Sequence, residues 1–78
     1  MEEFETLSNS EKSSSIRSKI KNIQYQKFNL ELDILSESAI SDPNESYLQE
    51  IQQQVNDLNL RQAALKSELD LLEEQEPA

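Results

Sequence analysis

Apolar residues recur at alternating intervals of three and four positions along the second half of this chain. That spacing places them on one side of an α-helix, where they form the seam of a coiled coil. One position of the seam, Gln62, is polar, and all the others are aliphatic. The spacing predicts a helix over about 43–74, roughly 45 Å long at 1.5 Å per residue. The positions of this seam are Leu48, Ile51, Val55, Leu58, Gln62, Leu65, Leu69 and Leu72.

A matching seam in the first half of the chain predicts a first helix over about 10–40. Its one interruption is Lys27, whose long side chain we expect to extend toward the edge of the seam. At Gln62 two interpretations stay open: a polar residue that specifies the register, or a residue near a fraying helix end. The positions of the first seam are Ile16, Ile20, Ile23, Lys27, Leu30 and Ile34.

The start of the first helix has two alternatives. Ser8 and Glu11 have the spacing of a capping box, which marks a helix beginning there. The run of serines at 13–15 favours a later start. We expect residues 1–9 to be flexible, with Phe4 and Leu7 as docking points, and residues 76–78 to be flexible as well.

The segment between the two seams has the signals of a turn followed by a helix start. Asp42 is the predicted N-cap, which accepts hydrogen bonds from the first backbone N–H groups of the helix. Pro43 suits the first helical position because its missing N–H costs nothing there. Glu45 then falls at the third position and completes a capping box. The turn is therefore predicted at 41–43.

Folding the chain back at this turn pairs the two seams, with each pair of residue numbers summing to 85. Ile34 then meets Ile51, Leu30 meets Val55, Lys27 meets Leu58, Ile23 meets Gln62, Ile20 meets Leu65, and Ile16 meets Leu69. An alternative register, summing to 83, pairs Phe28 with Val55, Leu32 with Ile51 and Leu35 with Leu48. The basic stretch 12–27 also faces the acidic end of the second helix, which favours antiparallel pairing.

A second apolar stripe runs along the first helix, on a face roughly opposite its seam. A helix with two apolar faces is normally covered on both, so we expect a partner for this stripe, either a second copy or another protein. The predicted fold is therefore all-α: an antiparallel two-helix hairpin, a coiled coil that dimerises into a four-helix bundle. The second helix has a weaker analogue in Leu60, Ala64 and Leu71. The stripe consists of Tyr25, Phe28, Leu32, Leu35 and Ala39.

The composition excludes most catalytic chemistry. The chain has no Cys, no His and no Gly, so thiolate nucleophiles, imidazole bases, the usual zinc ligands and glycine-rich phosphate loops are missing. The carboxylate groups at 31–37 and 73–76 fall outside the seams and are interpreted as solvated faces rather than metal ligands. We therefore expect no enzyme activity and no cofactor or metal.

The formal net charge of −9 limits the kinds of partner. Direct binding to nucleic acid or to anionic membranes requires a cationic surface, so neither is expected. The N-terminal sequence lacks the basic and then apolar layout of a signal peptide, so a cytoplasmic location is expected. The partner is itself or another protein, and a basic surface on that protein would complement the charge.

Three functions follow from these features. The first is a small acidic interaction module, that is, an adaptor, assembly factor or chaperone-like subunit that acts through the apolar stripe. The second is an acidic inhibitor that mimics nucleic acid and occupies a DNA- or RNA-binding protein. The third is a structural or secretion-apparatus subunit. With its length and the turn "SDPN" at 41–44, the chain resembles in outline the hairpin needle subunits of bacterial type III secretion and their co-chaperones. It departs from the needle subunits in its acidic C-terminal segment, "LDLLEEQEPA".

Overall fold

The computed structural model describes residues 7–75, which form two long helices packed against each other. Helix α1 spans Asn9–Ser38 and helix α2 spans Glu45–Gln75. A short turn joins them, and the chain folds back on itself as the predicted all-α hairpin. Of the residues expected to be flexible, 1–6 and 76–78, including the docking residue Phe4, lie outside the described part of the chain. The expectation is wrong for Ser8 and Asn9, because Ser8 caps α1 and Asn9 is its first residue.

A capping box begins α1. The Ser8 side-chain oxygen accepts a hydrogen bond from the Glu11 N–H at 3.0 Å, and the Glu11 carboxylate accepts one from the Ser8 N–H at 3.0 Å. The bond from the Ser8 backbone, followed by the bond to its side chain, lowers the pKa of Glu11 below its ordinary value. Serines 13–15 therefore lie inside the helix, and the later start does not occur. Leu7 precedes the cap and is exposed.

Helix α1 ends without a residue in the left-handed conformation, since no described residue has a positive φ. Instead its last turn tightens into bonds across three residues: the Ala39 N–H donates to the Ser36 carbonyl, and the Ile40 N–H donates to the Glu37 carbonyl. Such tightening satisfies carbonyls that have no partner at a helix end. This is how a chain without glycine closes the turn.

The start of α2 corrects the prediction for Asp42, Pro43 and Glu45. The N-cap is Asn44, whose side-chain oxygen accepts a hydrogen bond from the Tyr47 N–H at 3.1 Å. Its carbonyl accepts the first helical bond, from the Leu48 N–H at 3.0 Å. Pro43 therefore precedes the helix, and Glu45 occupies the first position instead of the third. Asn caps a helix as well as Asp does, so sequence preference alone did not separate the two starts.

A bond across the turn favours this later start. The Asn44 N–H donates to the Glu37 carboxylate at 2.8 Å. In a capping box this N–H is satisfied by the third helical residue, but that residue here is Tyr47, which has no acceptor for the purpose. Glu37, from the last turn of α1, supplies the missing acceptor, so α1 completes the cap of α2.

The core of the hairpin follows the two seams. All fourteen seam positions are buried or half-buried. Ile23 lies beside the same cleft as Leu58 and Leu65, which flank its expected partner Gln62. In the alternative register Phe28, Leu32 and Leu35 would be buried, yet all three are exposed, so that register is not adopted. The most deeply buried residues are Ile23, Ile51, Val55, Leu58, Leu69 and Leu72.

The two polar interruptions of the seams bond to each other. The Lys27 ammonium donates to the Gln62 side-chain carbonyl at 3.4 Å, and both side chains are half-buried. In the predicted register the two residues belong to neighbouring layers, which their long side chains can bridge. A shifted register would leave each polar group against aliphatic neighbours, which is how such pairs specify a register.

Charge pairing at the open end agrees with the antiparallel arrangement. The guanidinium of Arg17 forms an ion pair with the Glu73 carboxylate. Their side chains are 60% and 49% exposed, so the pair contributes little to stability, about 0–1 kcal/mol. Its value is in favouring this direction of pairing.

Candidate protein-interaction surface

The Tyr25–Ala39 stripe lies on the face of α1 that α2 leaves open. At 100° per residue, its five positions fall within an arc of about 80°, centred roughly 140° from the centre of the seam. The distance along the helix axis from Tyr25 to Ala39 is about 21 Å, because the fifteen residues are separated by fourteen rises of 1.5 Å. The periodicity that builds the seam thus builds a second, separate apolar surface on the same helix.

The large side chains of this stripe are exposed to solvent. Tyr25 is 60% exposed, Phe28 57%, Leu32 44% and Leu35 67%, and Ala39 is exposed as well. An aromatic side chain presents on the order of 200 Å², so the two rings together expose roughly 230 Å² before the leucines are added. Contiguous apolar patches of several hundred Å² are uncommon on monomers and mark interaction sites.

A groove of about 260 Å³ indents the N-terminal end of the stripe. Tyr25 and Phe28 form its apolar walls, and Lys21 and Gln24 complete its lining. The two rings project about one helical turn apart, three positions along the chain. It is shallow and open, which suits a side chain of a docking helix better than a free small molecule.

The charges of the hairpin are unevenly distributed. Residues 28–60, which we call the turn half, contain seven acidic residues and no basic residue. Residues 7–27 and 61–75, the open half, contain seven basic and five acidic residues, a net charge of +2 against −7. The acidic residues of the turn half are Glu31, Asp33, Glu37, Asp42, Glu45, Glu50 and Asp57.

The acidic residues between 31 and 37 do not form one cluster. Glu31 and Asp33 are exposed and point away from each other on the helix, whereas Glu37 is half-buried and bonded to the turn. Among residues 7–75 no three His, Cys, Asp or Glu side chains converge as ligands for a metal ion would. Over the same residues neither helix contains a segment long and apolar enough to span a membrane.

Two exposed apolar residues near the turn belong neither to a seam nor to the stripe. Ile40 is 52% exposed and Tyr47 is 40% exposed. Their neighbours along the chain gave no apolar periodicity, so no sequence signal selected them. On α2, the weaker analogue is also open to solvent: Leu60 and Leu71 are 70% and 51% exposed.

In comparisons with protein-family models, with curated proteins and with solved structures, no match to the chain was found.

Proposed function

We propose that this protein is a small acidic helical interaction module, an adaptor, assembly factor or chaperone-like subunit, that docks through the Tyr25–Ala39 stripe. The observation that carries this proposal is the exposure of four large apolar side chains along one face of a helix whose other apolar face is already filled. Ordinary surface helices have a single apolar face.

The arrangement of the stripe supports docking against a helix or a helical groove. Its positions step by three and four, which is the spacing of the anchor residues in helix-in-groove recognition. Two of its members are aromatic, and aromatic residues dominate the binding energy of interfaces. Residues beside the stripe, such as Gln24 and Asn29, are polar and exposed and would form the rim.

The test compares two variants that add the same charge at different faces of α1. Phe28→Asp places a carboxylate in the stripe, whereas Asn22→Asp places one at an exposed position about 100° from the stripe centre. Tagged wild-type chain and both variants are used for affinity capture from native extract. We expect Phe28→Asp to lose the bound protein and Asn22→Asp to retain it. Equal capture by all three chains would contradict the proposal.

A second function is supported by the charge of the turn half. Seven acidic residues without a basic residue give a surface that complements a basic, nucleic-acid-binding protein. In that case the chain acts as an acidic mimic or inhibitor, and its binding depends strongly on salt. The apolar stripe has no role in such a mechanism, which is why we favour the first function.

A further inference from the structure

We propose that a groove lined by serines on the first half of α1 receives the leucine end of the stripe from a second copy of the chain. This inference rests on the proposed function and names its partner. The two α1 helices run antiparallel, and each pair of facing residue numbers sums to 53. The two-fold axis therefore passes between residues 26 and 27.

The groove lies on α1 near the open end of the hairpin and has a volume of about 520 Å³. Its lining includes Ser14, Ser18 and Lys21, and it is about twice as large as the groove at Tyr25 and Phe28. From Tyr25 toward the N-terminus, the spacing of the stripe continues through Lys21, Ser18 and Ser14 in steps of four, three and four. One face of α1 thus has bulky apolar side chains in its second half and short serines in its first half.

The sum of 53 gives every stripe residue a neighbour of suitable size or polarity. Tyr25 of each copy meets Phe28 of the other beside the axis, and the axis repeats this aromatic contact. Leu35 enters the serine-lined groove, where the short side chains leave room for it. The methylene chain of Lys21 covers apolar surface while its ammonium reaches the rim. The facing pairs are Tyr25 with Phe28, Lys21 with Leu32, Ser18 with Leu35, and Ser14 with Ala39.

The charges of α1 favour a second copy as the partner. Residues 15–26 contain three basic residues and no acidic residue, whereas residues 27–38 contain three acidic residues and one basic residue. These two segments face each other in the proposed pair, so a net charge of +3 meets a net charge of −2 on both sides of the axis. A partner of the stripe has to be basic beside Glu31, and the first half of α1 is such a surface.

The other pairings with the same spacing fit less well. A sum of 60 sets stripe against stripe and brings the two Glu31 carboxylates together near the axis. A sum of 46 sets Leu35 against Glu11, which buries a carboxylate against an apolar side chain. A parallel pair aligns the acidic segment of one copy with that of the other, and facing like charges disfavour it.

Glu31 and Lys21 test the charges at this interface. Lys21 faces Leu32 of the second copy, so its ammonium lies near the neighbouring Glu31 carboxylate. We expect Glu31→Lys to weaken the dimer by roughly two- to tenfold, the scale of two exposed charge pairs, and Lys21→Glu in the same chain to restore it. Asp33→Lys makes the same charge change about 120° from the stripe centre and should not weaken the dimer. Equal weakening by Glu31→Lys and Asp33→Lys would overturn the register.

Disulfide trapping tests the groove directly, since the natural chain contains no cysteine. A disulfide forms only where the two Cα atoms approach within about 7 Å. We expect Leu35→Cys mixed with Ser18→Cys to cross-link as a heterodimer under mild oxidation. Leu35→Cys alone should not cross-link, because its two copies are about 26 Å apart along the helices. The matched control is Ser15→Cys, about 120° from the stripe centre, which should not cross-link with Leu35→Cys.

Three results would overturn the inference. Cross-linking of Leu35→Cys with itself indicates a parallel pair. Faster cross-linking of Leu35→Cys with Tyr25→Cys than with Ser18→Cys indicates that stripe meets stripe. If Leu35→Cys and Ser18→Cys do not cross-link at all, the groove does not receive the stripe. The capture experiment with Phe28→Asp is independent of these results, so the proposed function is judged separately.

Discussion

The carboxylate of Glu37 accepts a hydrogen bond from the backbone N–H of Asn44 at 2.8 Å, which ties the last turn of α1 to the first turn of α2. Asn44 uses its own side chain to cap α2 through the Tyr47 N–H. The two bonds together fix where the second helix begins and how it returns along the first. In this chain without glycine, these side-chain bonds hold the turn together with the backbone bonds that end α1.

Asn44, rather than Asp42, is predicted to determine the stability of the turn. Asn44→Ala should lower the free energy of unfolding by about 0.5–2 kcal/mol, because it removes the acceptor of the first-turn N–H. Asp42→Ala is the matched control and should change it by less than about 0.5 kcal/mol. Urea unfolding followed by circular dichroism measures both. If Asp42→Ala lowered the free energy of unfolding more than Asn44→Ala does, Asp42 would be the N-cap.

Lys27 and Gln62 are predicted to lower the stability of the hairpin and to specify its register. Replacing both with leucine completes the two aliphatic seams and should raise the free energy of unfolding by roughly 1–3 kcal/mol. The same double variant should form a mixture of assemblies, because the polar pair no longer disfavours shifted registers. Unfolding curves and light scattering on one sample test both parts. A less stable double variant would show that the pair contributes net stability instead.

The start of α1 is predicted to loosen on acidification. Hydrogen bonds with Ser8 lower the pKa of Glu11 below its value in the unfolded chain, so the stabilising effect of this carboxylate is fully present above that unfolded value. That effect is lost as the pH falls through the lower folded value. NMR titration should give a Glu11 pKa below the ordinary value, with the Ser8 amide shifting in parallel. Glu11→Gln keeps both capping bonds and should remove this pH dependence. A Glu11 carboxyl that titrates at its ordinary value would contradict the capping box.

The acidic inhibitor function makes its own prediction. Glu50→Lys reverses a charge at an exposed position of the turn half, away from the stripe and from the turn bonds. If the turn half binds a basic protein, this variant weakens binding and the remaining affinity falls steeply with salt. Under the function we favour, capture by Glu50→Lys equals capture by the natural chain. Glu37→Lys would be a poor choice here, since it also removes the acceptor for Asn44.

The hairpin could be predicted from the sequence because both of its helices are encoded by long periodic patterns. The spacing from Ile16 to Ile34 and from Leu48 to Leu72 selects one face on each helix, and burial makes that face the core. The capping box at Ser8 was one of two helix starts that the sequence offered, and the hydrogen bonds between Ser8 and Glu11 show that α1 uses it.

The details that the sequence did not determine depend on contacts across the turn. Asp42 and Asn44 are equally good caps, and only the carboxylate of Glu37, folded back from α1, favours Asn44. The bond between Lys27 and Gln62 likewise joins residues thirty-five positions apart, which neither seam alone indicates. The sequence pattern predicts that the Tyr25–Ala39 stripe is present. It does not identify the partner, because the partner depends on a second surface.

Light scattering behind a sizing column, with circular dichroism on the same fractions, tests the central claim most directly. We predict that the natural chain elutes as a discrete, strongly helical dimer of twice the chain mass. Phe28→Asp should elute at the mass of one chain and remain largely helical, since its seam is intact, while Asn22→Asp should stay dimeric. A natural chain that is monomeric, and whose helicity and unfolding midpoint equal those of Phe28→Asp, would contradict the account.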